Sequence, residues 1–138
     1  MNVLVDTPVW SLALRRRSVD LSPQERLRAQ ALHELVIEGR AQVLGATRQE
    51  VLSGIRDESV FRRIRNDLRA FSDVSLEVGH YEEAARMSNQ CRGAGVASTS
   101  VDMLICAVAL HHGWQIFTTD RDFKHYAAIV PIRLFLPI

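Results

Sequence analysis

Apolar positions along this chain fall into two rhythms. Short runs at Asn2 to Val5 (NVLV), Gln42 to Ala46 (QVLGA) and Gln115 to Thr118 (QIFT) have the length of strands buried on both faces. Ile132 to Phe135 reads as a last strand, and Val74 to Val78 as a weaker one. Between them the apolar residues recur at helical spacing. A brief helix is expected from Pro8 to Leu14. Ser22-Pro23-Gln24-Glu25 then opens a longer one, with Ser as N-cap, Pro in the first turn and Glu at N3, and Gly39 ends it. Thr47-Arg48-Gln49-Glu50 has the form of a second capping box, leading a helix through Val51, Leu52 and Ile55. Further helices are predicted over Ser59 to Phe71, His80 to Cys91, Ser100 to His112 and, after a loop, within Asp120 to Ala128.

Strands alternating with helices predict an α/β domain: a short central parallel sheet covered by helices on both faces. The 138 residues form a single domain, 1–138, with no repeat or linker. Hydrophobic residues at 47% and charged residues at 24% exclude a disordered or disulfide-stapled chain. Cys91 and Cys106 belong to no metal or redox motif and read as small buried hydrophobes in a reducing compartment. Asp6 and Pro8 interrupt the first apolar stretch, so no signal peptide is expected, and no apolar run approaches the ~20 residues that span a bilayer. The expectation is a cytoplasmic protein without a membrane partner.

Charge changes the picture only once it is placed. Basic and acidic residues number 17 and 16, a net +1, and Lys124 is the sole lysine. In open α/β sheets ligands bind beyond the carboxyl ends of the strands. Asp6 ends the first strand, Glu50 lies early in the helix after the second, Asp102 lies in the first turn of the most apolar helix, and Asp120 follows QIFTT with Asp122 just beyond. Each has an ordinary explanation as a cap or turn residue: Glu50 through the capping box, Asp102 through the helix dipole. Together they form one acidic edge. Carboxylates crowded together repel unless a cation compensates. A hard divalent ion, Mg²⁺ or Mn²⁺, takes such oxygen ligands, lowers the pKa of water and neutralises charge on a phosphodiester.

The segments VLVDTPVW, ATRQEVLSGI, TSVDMLICAVALHHG and IFTTDRDF, in this order and spacing, resemble those of the PIN-domain ribonucleases, and among them the VapC-type toxins of toxin–antitoxin pairs. The resemblance covers essentially the whole chain. It implies a PIN-like fold and a Mg²⁺-dependent endoribonuclease, with Mn²⁺ as an alternative ion. Asp6, Glu50, Asp102 and Asp120 would be catalytic, and Asp6, Asp102 and Asp120 would hold the metal. Thr7 would be a hydroxyl that orients Asp6, while Thr99 and Asp122 would be secondary members. It further implies an RNA substrate, cleavage to a 3′-hydroxyl and a 5′-phosphate, a homodimer, and a small antitoxin received by the early helices. Pro8 departs from the family's usual Ser or Thr.

Other features carry less. His33, His80, His111, His112 and His125 show no ligand spacing, and Ser98 to Ser100 lack a nucleophile elbow. Six arginines between Arg48 and Arg69 read either as a salt-bridged face or as a phosphate-tracking one, and Arg15 to Arg17 could serve likewise. Two other readings of an acidic α/β edge are a receiver-like phosphoacceptor and a catalytically silent partner-binding domain. A receiver needs an acid pair after its first strand and a late lysine, whereas here Asp6 stands alone and Lys124 lies well past Thr118.

Overall fold

Strand β1 (Val3–Val5) is apolar at every position and lies at the centre of a three-stranded parallel sheet. Its neighbours are β2 (Ala41–Gln42) and β3 (Gln115–Phe117), in the order β2-β1-β3, with Val3 opposite Ala41 on one side and Gln115 on the other. The structure, a computed structural model, describes residues 1–137. Around the sheet stand α1 (Thr7–Arg15), α2 (Pro23–Ile37), α3 (Gly45–Leu52), α4 (Glu58–Leu68), α5 (Val78–Gly93), α6 (Ser100–His112) and α7 (Asp122–Ala127).

Period-2 alternation along the strands divides the core between the two faces. Leu4 and Ile116 point to one face, where Met103, Ile105, Val108, Phe123 and Tyr126 from α6 and α7 are buried with Met87 and Cys91 of α5. Val3, Val5 and Phe117 point to the other, against Trp10, Leu35, Val51 and Ile64 from the first four helices. Trp10 is anchored there, its indole N–H donating to the Val5 carbonyl at 3.0 Å. The predicted parallel sheet with helices on both faces is thus the fold observed. No helix among the described residues is long and apolar enough to cross a membrane.

Several predicted ends formed as read. The Ser22–Glu25 box closes both ways, with Glu25 N–H to Ser22 Oγ at 3.1 Å and Ser22 N–H to Glu25 Oε1 at 2.9 Å. Gly113 takes φ 71°, the left-handed conformation that ends α6. Others differ. The run at Gln42 to Ala46 is strand only over Ala41–Gln42, because α3 already begins at Gly45. The fit at Gly45 is close: a Cβ would stand 3.0 Å from an Asp73 carboxylate oxygen, and that side chain would have to give way to a larger residue. Consequently the second capping box does not form. Thr47 is fully buried inside α3, one turn before Val51 on the same packed face, and Leu44 occupies the N-cap. Glu50 therefore has no capping role.

The strand expected at Val74 to Val78 reduces to one amide, Val74 N–H to Val43 O at 3.0 Å, before α5 starts at Val78. The last strand reduces to a bridge between Ile116 and Leu134, confined between Pro131 and Pro137, which cannot donate to a ladder. Arg48 ties the second face together. Its guanidinium donates to Asp73 Oδ1 at 2.9 Å and to the carbonyls of Leu68 and Phe71 at 2.8 and 2.6 Å. This arginine heads the segment read either as a salt-bridged face or as a phosphate-tracking one, and all three of its guanidinium nitrogens are engaged inside the fold.

Candidate active site

Asp6 leaves β1 exactly where the sheet ends, and the ladder continues one step past it through Asp6 N–H to Phe117 O at 2.9 Å. It is the N-cap of α1, and the helix turns its carboxylate inward, leaving the residue 5% exposed. Oδ1 accepts the Thr7 backbone N–H at 2.8 Å and Oδ2 accepts the Thr118 hydroxyl at 2.8 Å. Burial dominates those two bonds. With Asp102 and Glu50 adding negative charge nearby, the carboxyl is pushed up to about 6 from an ordinary 3.8.

Asp102 enters from the other face of the sheet, in the first turn of α6. Thr99 caps that helix by accepting the Asp102 N–H at 3.1 Å, and Tyr126 of α7 donates its phenol to Asp102 Oδ2 at 2.8 Å. Burial again raises the Asp102 carboxyl against the Tyr126 bond, helped by the charges of Asp120 and Asp122. Asp120 follows β3 by way of Thr118, whose Oγ1 accepts the Asp120 N–H at 3.0 Å; Asp120 Oδ1 in turn accepts the Asp122 N–H at 2.9 Å. Carboxylate oxygens of Asp102, Asp120 and Asp122 all lie within 4.8 Å of one another. Glu50 stands on α3 at the rim, its carboxyl raised by partial desolvation and then by Asp102.

The edge inferred from sequence is thus brought together in space, both acids of the last motif included. Thr7 meets Asp6 through its backbone amide, whereas its hydroxyl is buried without a hydrogen-bond partner among the described residues. Thr118 and Tyr126 are the two contacts that sequence reasoning missed. Each is one hydroxyl whose partner, Asp6 or Asp102, lies 112 or 24 residues away, a distance no local motif signals.

The PIN domain family profile matches residues 3–129. The chain belongs to the PIN-domain family. That family is one of nucleases, and a receiver-like module is thereby set aside. Solved structures agree on the fold. FitAcB from Neisseria gonorrhoeae superposes with a TM-score of 0.76 at 18% identity, over 98% of this chain and 97% of that one. A toxin–antitoxin complex from Klebsiella pneumoniae gives 0.68 at 20% identity, over 96% and 100%. VapBC2 from Rickettsia felis, solved with a DNA fragment from their promoter, gives 0.70 at 13%, over 98% of each. No curated protein matches the sequence.

The donor set of this PIN domain suits a hard divalent cation. Every candidate ligand is a carboxylate oxygen, the three outer acids are close enough to share one ion, and no Lys or Arg forms an ion pair with any of them among the described residues. Burial and mutual repulsion raise Asp6 and Asp102 in the manner of a site lacking its counter-charge.

A second cluster looks similar by distance and differs in chemistry. Ring nitrogens of His80, His111 and His112 lie within 4.8 Å of one another. His80 Nδ1, however, accepts the Glu77 N–H at 2.9 Å, which leaves the neutral ring's proton on Nε2 and no free lone pair for a cation. Cys91 and Cys106 are buried, free thiols, pushed up by desolvation, as their packing role requires.

Proposed function

We propose that this PIN domain is a Mg²⁺-dependent endoribonuclease, with Mn²⁺ able to substitute, and the toxin half of a toxin–antitoxin pair acting in the cytoplasm. The observation that carries the reading is the convergence of Asp102, Asp120 and Asp122 within 4.8 Å beside the buried Asp6, with no basic side chain paired to them among the described residues.

Asp6, Asp102 and Asp120 would hold the ion, with Asp122 completing the oxygen set. The ion, when bound, would supply positive charge to the scissile phosphate and make water more acidic. The protein's own groups do the rest. Thr118 and the Thr7 amide fix both oxygens of Asp6, and Tyr126 fixes one oxygen of Asp102, so neither carboxylate must reorganise as charge develops. Glu50, at the rim and raised in pKa, would take a proton from the attacking water. Water oxygen bonds to phosphorus, the P–O3′ bond breaks, and the departing oxygen gains a proton. The products are a 3′-hydroxyl and a 5′-phosphate.

The toxin assignment rests on the motif resemblance and on the toxin–antitoxin complex among the structural neighbours. It brings with it a small antitoxin partner and a homodimer. The decisive experiment is cleavage of single-stranded RNA by the purified protein with Mg²⁺, with chelator, and with Asp6→Asn in place of wild type. Cleavage that needs the metal and vanishes in the folded variant supports the reading; equal cleavage by Asp6→Asn refutes it.

A further inference from the structure

Two grooves meet beside the acid cluster. One, of about 380 Å³, is walled by Thr118, Asp120, Arg121, Lys124 and Arg28. The other, of about 540 Å³, runs between α1 and α2 past Leu12, Arg15, Arg16 and Glu25. They share Arg28 and Thr119, so a single path leads from the acids out between the first two helices.

The charge along this path is one-sided. Glu25, the only acid in the outer groove, is already held by Arg16 at 2.7 Å. Arg15, Arg28, Arg121 and Lys124 have no ion-pair partner among the described residues. Arg28 is half-buried on α2, which limits its side-chain freedom at the junction of the two grooves. Arginines of the α4 region line neither groove. Arg48 is consumed in the fold and Arg62 pairs with Glu58 at 3.2 Å.

We infer that Arg15, Arg28, Arg121 and Lys124 hold the RNA backbone by its phosphates and lead it to the acid cluster between α1 and α2, not across α4. This rests on reading the acid cluster as the site of RNA cleavage. The guanidinium fork suits a phosphate bidentately, and a row of unpaired cations ending at a metal-binding carboxylate set fits a polyanion cut at that end. The cations position substrate and take no part in breaking the bond.

The test is steady-state cleavage of a fluorescein-labelled, mixed-sequence single-stranded RNA with Mg²⁺, together with anisotropy of the same RNA in chelator. Arg28→Ala and Arg15→Ala are each expected to raise KM roughly tenfold with kcat within about twofold, and to lower the slope of log affinity against log salt by about 0.7 per phosphate lost. Arg28→Lys should recover part of the affinity, which a merely unfolded site would not. Arg63→Ala on α4 should change neither constant. The proposal is overturned if Arg63→Ala raises KM as much as Arg28→Ala, if Arg28→Ala lowers kcat alone, or if Arg28→Ala weakens only an acidic peptide and leaves RNA untouched. The two readings separate cleanly. Wild type that binds RNA through Arg28 without cleaving it keeps the track and removes the nuclease, whereas cleavage indifferent to Arg28 does the reverse. Neither binding nor cleavage removes both.

Discussion

The hydroxyl of Thr118 donates to Asp6 at 2.8 Å and accepts the backbone amide of Asp120 at 3.0 Å, so a single oxygen joins the ends of β1 and β3. It fixes the innermost acid and the start of the loop that carries two outer ones. Thr118→Val keeps the shape and removes both bonds. With Asp6 holding the ion as proposed, activity should fall roughly 10–100-fold, the usual effect of losing a partner behind a metal ligand. Because the Thr118 bond lowers the Asp6 carboxyl, the acidic limb of the pH–rate profile should also move upward. An unchanged limb would show that the hydroxyl does not govern Asp6.

Asp6→Asn should trade activity for stability. The buried charge is destabilising without a counter-ion, and the amide oxygen can still accept the Thr7 N–H. In chelator the variant's Tm is expected to rise by roughly 3–8 °C while metal-dependent cleavage disappears. A fall in Tm would mean that the two hydrogen bonds outweigh the cost of burying the charge.

The pH dependence of stability follows from the same group. The folded-state value of about 6 lies above the ordinary 3.8, so between them the folded protein keeps a proton that the unfolded chain has released. Asp6 therefore favours folding least once the pH has risen through about 6, and Asp102 and Glu50 shift in the same direction. Denaturation in chelator should show apo stability declining from pH 4 toward 7. Stabilisation by millimolar Mg²⁺ should be larger at pH 7.5 than at pH 5, where protons compete for the same oxygens. Equal metal stabilisation at both values would detach the ion from these acids.

Arg48→Ala tests a different kind of arginine. It removes three bonds and leaves the Leu68 and Phe71 carbonyls without their donor. The loss should be about 2 kcal/mol, or roughly 5–10 °C in Tm. Per folded molecule, the KM for RNA should not change.

Legibility in the sequence followed the range of the forces involved. The α2 box, the α6 boundaries and the placement of Asp6, Asp102 and Asp120 after strands or in first helical turns are local, and local patterning revealed them. Thr47 shows the limit. Its TRQE pattern suits a cap, but packing of Thr47 and Val51 against the core starts α3 at Gly45, and that overrides the cap preference. The capping pattern offered Glu50 an ordinary role beside its place in the acidic set, and without the box Glu50 keeps only the acidic rim. The shortness of the sheet and the hydroxyls of Thr118 and Tyr126 depend on partners far along the chain, which composition and spacing do not encode.

Strand β1 is flanked on both sides, and its last rung is the Asp6 amide itself. In native-state hydrogen exchange such amides open only with the whole molecule. The innermost, buried acid is therefore carried by the segment least able to part from its neighbours. Local breathing does not carry Asp6 away from its place, and a binder that covers the opening above it is the direct way to restrain the site while the protein stays folded.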